Sequence, residues 1–448
     1  MNPSRQIRSA WFGPAIPLLF FLAGPQLSIA ARYPCTEAGF EQAIQDACPA
    51  GNTTITFECA PGSVVRLSKG HGPQREIPAG CDHVIIDGEN NVTFEAAVPW
   101  WDDGLHCVAP DFNQSCDPDG DGVPDFCPEF EGGERFVMIR GNNDTIQNLS
   151  FRNFFEGIGF NNGTSGNTID NITCDKPGDD CFTNEWDTSG NAARNLKLSN
   201  ACDKAVSLYG RDVSKSSGFD LVLENSTFTN VISSFSLPGG ASAGGRFLIR
   251  NNTFQNVNST SLWHCDNVSV RSTSVTTFEN NLIDGCQRGL RAKQQSQLIA
   301  KNNVIINCPV RGAWLFDSSR GFFENNVFRN NGGASSSNAF YGGIAVSGSA
   351  QADLGGGSLL FDGQTLASQG GNLFQGNRSP SDPTLDLENK TGATVKAEGN
   401  CWGDADPSDQ VEGLVDYQPL GASCGGADTV PPGTPANLRR RDIKQPPI

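Results

Sequence analysis

The chain is short of hydrophobic residues, of histidine and of positive charge, and each shortage narrows what it can be. Hydrophobic residues fill 37% of its 448 positions, against an ordinary ~45–50%, a profile that suits many short strands and turns in a chain still long enough to bury a large core. Lys and Arg number 32 against 49 Asp and Glu, a formal charge of -17. That balance excludes nucleic acid and an anionic membrane as general partners. The 4 histidines, His71, His83, His106 and His264, have neither zinc-ligand spacing nor a nucleophile beside them. Beyond residue 30 no run is apolar enough to span a bilayer.

Glycine, by contrast, is abundant at 51 residues, and cysteine reaches 15. The first thirty residues carry Arg5 and Arg8, an apolar run from Ile16 to Leu22, and the small residues Ser28 and Ala30 at their end. This is the layout of a cleaved secretory signal over residues 1–30. Every cysteine follows it, so the expected setting is secreted and extracellular, where disulfides form.

A repeat organises the rest. Anchoring on Asn-x-x-apolar aligns Asn148, Asn171, Asn195, Asn225, Asn251, Asn280, Asn302 and Asn325 at spacings of 22 to 30 residues, and Gly371 follows after 46, read as two further coils. Three positions on stand Phe151, Cys174, Leu198, Phe228, Phe254, Ile283, Ile305, Phe328 and Phe374, an apolar column without exception. Five positions on stand Asn153, Lys176, Asn200, Asn230, Asn256, Gly285, Asn307, Asn330 and Gly376, mostly residues that tolerate a positive φ in a tight turn. Apolar residues of period two, a turn after each short strand and a near-constant coil length predict an all-β fold, a single-stranded right-handed parallel β-helix. The anchor asparagines are expected to stack their amides. Residues 31–60 form an N-terminal cap with a helix over Glu37 to Cys48, and 61–425 form the β-helix. Within it, 102–133 is a Cys- and Asp-rich insertion, and 426–448 a disordered Pro/Arg-rich tail that resembles the opening of a fibronectin type III domain.

Carrying the register without gaps into the next strand predicts an outer row, eight and nine past the anchor, that contains Glu156, Asp179, Asp180, Asp203, Lys204, Arg288 and Arg311. Arg291 and Lys293 lie outward on the coil of Arg288, and Leu290, Ala292, Gly312 and Trp314 fall on the inward row. Coils lie ~4.8 Å apart, so the four acids are crowded within three coils. Such carboxylates either take up protons or bind a hard cation, and extracellularly that cation is Ca2+. Cys286 and Cys308 share a column on successive coils, near enough to bridge.

The stretch PGDDCFTNEW (177–186) followed by ACDKAVSLYG (201–210) resembles the β-helical pectate lyases, most closely polysaccharide lyase family three. The resemblance implies calcium-assisted β-elimination on polygalacturonate or a similar uronate polymer. In that reading Asp179 and Asp180 match the calcium-binding acidic pair, with Glu156 and Asp203 beside them, and Lys204 matches the basic residue one coil later. Chemically, a cation on the C6 carboxylate stabilises the charge that develops as the C5 proton leaves, and a base must take that proton. Lys204 is the expected base and Arg291 the alternative; Arg288, Lys293 and Arg311 are expected to hold distal carboxylates of the polymer. The expected partner is an acidic polysaccharide, met by a monomer. Where that family carries Lys-x-x-Arg on the next coil this chain reads SSFSL, so a non-catalytic extracellular β-helix for adhesion or glycan binding is the second expectation. Asp179-Asp180-Cys181 and Arg291-Ala292-Lys293 also resemble polygalacturonase signatures. The partner motifs of that family are replaced here by EGIGF and SLYGR, which makes hydrolysis the third.

Asp117, Asp119, Asp121 and Asp125 follow a D-x-D-x-D-G spacing between Cys116 and Cys127. The loop resembles the calcium repeats of thrombospondin type 3 and is expected to hold a structural Ca2+.

Overall fold

The computed structural model describes residues 29–50, 53–68, 75–96, 135–201, 204–209, 218–231, 235–236, 244–255, 266–270, 273–334, 340–403 and 406–421. Residues 1–28 of the expected signal segment, the loop with Asp117, Asp119, Asp121 and Asp125, Asp203 and residues 426–448 lie outside the described residues.

The chain winds as a right-handed parallel β-helix. Each coil lays strands on the equivalent strands of the next, forming, among the described residues, a 12-stranded and a 23-stranded sheet. The larger sheet is folded into two faces by one residue per coil in the left-handed region. In one coil, strand Leu221–Glu224 leads through Asn225 at φ 56° into strand Thr227–Thr229, and Asn230 at φ 52° turns the chain toward the third face. Among the described residues, both the anchor column and the column five residues on take this conformation, as in Asn148 at 56° and Asn153 at 61°. Asparagine tolerates it because its short amide bonds locally. The anchors therefore act as bends, although some amides also stack, as Asn171 does on Asn148 at 2.8 Å.

The continuous amide ladder lies one residue later and is buried. Along Asn252, Asn281, Asn303, Asn326, Asn372 and Asn400, each member after the first accepts, at Oδ1, the backbone N–H of the one before, and Asn252 accepts that of Ser226. Their Nδ2 groups donate inward, Asn303 to Phe278 O at 2.8 Å and Asn326 to Ala300 O at 3.0 Å. A buried bend leaves backbone groups that no ladder of strands can pair, and these amides satisfy them.

Phe151, Cys174, Leu198, Phe228, Phe254, Ile283, Ile305, Phe328 and Phe374 are all buried. Rings stack along this column, Phe228 on Phe254 at 4.6 Å and Phe374 on Trp402 at 4.6 Å. The helix Glu37–Ala50 closes one end of the stack. Thr36 Oγ1 accepts from Gly39 N at its start, and buried Phe40 meets Phe94 at 4.5 Å and Phe136 at 5.5 Å. Disulfides Cys35–Cys59 and Cys48–Cys81 fasten this cap.

Two expectations change. Phe328 pairs directly with Phe374, so the 46-residue interval is one coil enlarged by insertions, not two coils. One insertion is the hairpin Leu359–Phe361 with Gln364–Leu366. It lies on the outer face, where Arg320 donates to Leu360 O and Arg246 pairs with Asp362. Cys286 and Cys308 are buried thiols, not a disulfide. Residues stacked in one column of a parallel ladder send their Cα–Cβ bonds in parallel, which leaves the β-carbons ~4.8 Å apart and wrongly aimed for a bridge.

Candidate functional site

The twelve-stranded face carries the predicted residues, and its register differs from the gapless one. Ile158 pairs with Phe182 and Phe182 with Val206, while Leu290 pairs with Ala313. The coils that begin at Asn171, Asn195 and Asn302 thus hold one extra residue before this strand. A one-residue slip inverts the side chains of a strand. Trp314, expected inward, consequently stands on the outer column beside Arg291, with which it pairs.

The corrected register builds two outer columns. At the strand starts, Arg135 pairs with Glu156, and the Ile158, Phe182 and Val206 register carries Glu156 to Asp180 and Asp180 to Lys204. Farther along the same column Asp266 pairs with Arg288 and Arg288 with Arg311. The central column runs Met138, Gly159, Thr183, Ser207, Ser236, Ser269, Arg291 and Trp314. From Gly159 through Thr183 to Ser207 this floor has only small side chains, over two coil steps or ~10 Å. Beyond the strand ends, Glu185, Trp186 and Tyr209 form the opposite wall, with Trp186 and Tyr209 ring centroids 5.4 Å apart. Tyr209 N donates to Asn184 O at 2.7 Å, which places Tyr209 one coil on from Glu185.

Charge is concentrated around this trough. Arg135 is hydrogen-bonded to Glu156 and lies 3.6 Å from Glu185 Oε1. Gly159 makes room for it, since a β-carbon there would come 3.2 Å from Arg135 Nη1. Burial pushes the Glu185 carboxyl up, with Arg135 pulling it down and Glu156 adding to the rise. The Tyr209 phenol is pushed above its ordinary 10.0 by burial first and then by Asp180, against the opposing charge of Lys204; Glu185 and Asp179 add to the rise. Asp180 is 5% exposed, and Thr183 Oγ1 lies 3.5 Å from its Oδ2. A buried disulfide, Cys174–Cys181, closes the turn Lys176-Pro177-Gly178-Asp179-Asp180. Spacing alone did not reveal that bond. Arg135, Glu185 and Tyr209 are likewise not marked by spacing; Glu185 and Tyr209 lie inside the two resembling stretches, where a signal is present.

The four acids expected to share a calcium ion are only partly brought together. Glu156 is engaged by Arg135, Asp179 and Asp180 are adjacent on the turn, and Asp203 lies outside the described residues. Among the described residues no three His, Cys, Asp or Glu side chains gather as a metal site. What the pair offers is hard oxygen donors in an acidic setting, in which Arg135 engages Glu156 and acts with Arg140 on Glu185, and Lys204 stacks on Asp180. That donor chemistry fits Ca2+, with water and a ligand's carboxylate completing its shell of ~6–8 oxygens.

The basic cluster sits differently from expectation. Arg288 and Arg291 are each 7% exposed, Lys293 5% and Arg311 0%. Arg311 lies over the Trp314 ring at 4.1 Å and donates to Phe340 O at 3.0 Å, and Arg291 faces the Phe316 ring at 5.5 Å. Phe316, Trp314 and Phe340 stack at 4.0 and 5.2 Å. These cations are built into the outer wall.

A family model described as right handed beta helix region matches residues 182–359. No curated protein matches the chain in sequence. Among solved structures, the chain is similar to the catalytic unit of a GH87 alpha-1,3-glucanase from Streptomyces thermodiastaticus strain HF3-3, at 11% identity and TM-score 0.41, covering 80% of this chain and 64% of that one. It thus spans less than two thirds of that catalytic unit. It is also similar to an alginate lyase from Paenibacillus sp. str. FPU-7, at 12% identity and TM-score 0.37, covering 87% and 99%. A third likeness is to PfbA, a surface adhesin of Streptococcus pneumoniae, at 14% identity and TM-score 0.44, covering 76% and 89%.

Proposed function

We propose that the protein is a secreted, calcium-dependent polysaccharide lyase that cleaves a uronate polymer of the polygalacturonate type by β-elimination. The observation that carries this reading is the column in which Lys204 stacks on Asp180, beside Asp179, at the edge of a floor of small residues. The floor gives a polymer room to lie along the coil axis. Lys204, in its unprotonated form, reaches from the wall to take the C5 proton. A bound Ca2+ held by Asp179 and Asp180 would supply charge neutralisation at the uronate carboxylate. The excess of acids in the trough supports this, because without a cation it would repel an anionic polymer. The disulfides, formed in an oxidising compartment, support secretion.

Purified protein is incubated with polygalacturonate and Ca2+, and the unsaturated product is followed by ultraviolet absorbance. Product is expected, with loss of at least ~100-fold in Lys204→Ala. No product from neutral to alkaline pH, with or without Ca2+, refutes the lyase. A non-catalytic glycan-binding β-helix is the second reading, favoured by the burial of Arg288, Arg291, Lys293 and Arg311. Retention of the polymer in affinity electrophoresis with no product supports it.

A further inference from the structure

A base alone does not complete an elimination: the C4–O4 bond must break, and an alkoxide is a poor leaving group unless it is protonated. Tyr209 faces Lys204 across the trough. Lys204 precedes strand Val206–Leu208 by two residues and Tyr209 follows it directly, with Ser207 on the floor between them and both side chains half-buried. Their Cα atoms can therefore lie at most roughly 16 Å apart. Two long side chains leaning inward from that span leave space for about one sugar ring. The Tyr209 ring rests against Trp186 at 5.4 Å, which limits its rotation. Glu185, one coil back on the same wall, Asp179 and Asp180 surround it with negative charge, and Lys204 is the cation facing it.

We propose that Tyr209 is the proton donor to O4, a role that rests on the lyase reading and deepens it. The C5–H bond breaks and its proton passes to Lys204 Nζ; the electron pair left behind forms the C4=C5 double bond. The C4–O4 bond breaks with its pair on O4, which takes the proton from Tyr209 Oη. Solvent then returns a proton to the tyrosinate as the Lys204 ammonium loses one, so no water is added across the bond. Its place against Trp186, half-buried at the edge of the trough, suits this role, because burial keeps the phenol protonated until the leaving oxygen develops charge. Donor and base on opposite walls act on opposite faces of the ring, which matches uronates whose O4 and H5 are trans, as in galacturonate.

Tyr209→Phe is the test, assayed with Ca2+ on two substrates. One is polygalacturonate; the other is a galacturonate carrying a 4-nitrophenyl ether at O4, whose phenolate leaves without protonation. The expected result is a fall in kcat of ~100-fold or more on the polymer with little change in KM, and near-normal turnover of the nitrophenyl ether. Lys204→Ala is expected to lose both. Equal losses on both substrates in Tyr209→Phe, or no loss on the polymer, overturn the role of Tyr209 while leaving the lyase intact. Absence of product from the wild type on either substrate overturns the lyase reading itself.

Discussion

Replacing Asp144 by asparagine is expected to stabilise the protein, and to do so only as pH rises. Asp144 is 0% exposed and heads an amide ladder: its Oδ1 accepts from Val84 N at 2.8 Å, and its own N–H donates to Asn167 Oδ1 at 2.9 Å. Its Oδ2 is buried and meets no donor among the described residues. Burial pushes the carboxyl from 3.8 up to about 7, against the pull of the Val84 N–H and with a further rise from Asp82. An acid whose folded pKa is raised binds its proton more tightly in the folded state. Its contribution to stability is therefore present below about pH 4 and is lost as pH climbs to about 7. At ~1.4 kcal/mol per pH unit, ionising Asp144 in place costs on the order of 4 kcal/mol above pH 7. Asparagine keeps the acceptor for Val84 and brings a neutral Nδ2 donor, as Asn167 does one coil on, where Nδ2 donates to Gly141 O at 3.1 Å. Urea unfolding of both proteins, followed by circular dichroism from about pH 4 to 8, should show an advantage for Asp144→Asn that is small at the acid end and grows to several kcal/mol. A pH-independent difference, or a less stable variant at about pH 8, refutes the argument.

Two further outcomes follow from the packing. Asn303→Ala removes the acceptor for Asn281 N and the donors to Phe278 O and Asn326 Oδ1. It is expected to cost roughly 3 kcal/mol or more by urea midpoint, because the orphaned groups are buried; a cost below ~1 kcal/mol would mean the ladder is dispensable. The double variant Cys174→Ala/Cys181→Ala opens the turn that carries Asp179 and Asp180. It is expected to lose about 2 kcal/mol of stability and to require more Ca2+ for half-maximal lyase activity, and an unchanged Ca2+ dependence would show that the disulfide does not position the pair.

Much of the architecture is legible from composition and period. The column through Phe151, Phe228 and Phe374 is apolar in the chain and buried in the fold. The positions five past each anchor carry Asn or Gly and, among the described residues, adopt positive φ, Lys176 at 55° being the exception in type though not in conformation. The cap helix shows its apolar face in Phe40, Ala43, Ile44 and Ala47, all buried. These signals are local: strand period, turn chemistry and helix spacing are written in neighbouring residues. The pairing of Asp180 with Lys204 was legible too, because their coils have the same internal length.

Other features depend on distances along the chain that no local pattern records. A single extra residue in the turn before the third strand moved Asp180, not Asp179, onto Glu156 and turned Trp314 outward; parity has period two, so a slip of one inverts every side chain downstream. The long coil hid a hairpin, because an insertion and an additional turn of the helix have the same length in residues. The sequence places Arg311 among the groove cations, but Phe340 O takes its hydrogen bond and the Phe340 ring stacks on Trp314. The trough wall of Glu185, Trp186 and Tyr209 likewise exists only after coils are stacked. What the sequence determined by itself is the repeat and its inward face, since burial of an apolar column is demanded coil by coil. Only the tertiary structure decided the outer face, because which outward side chains meet there depends on register and on the connections laid over the sheet.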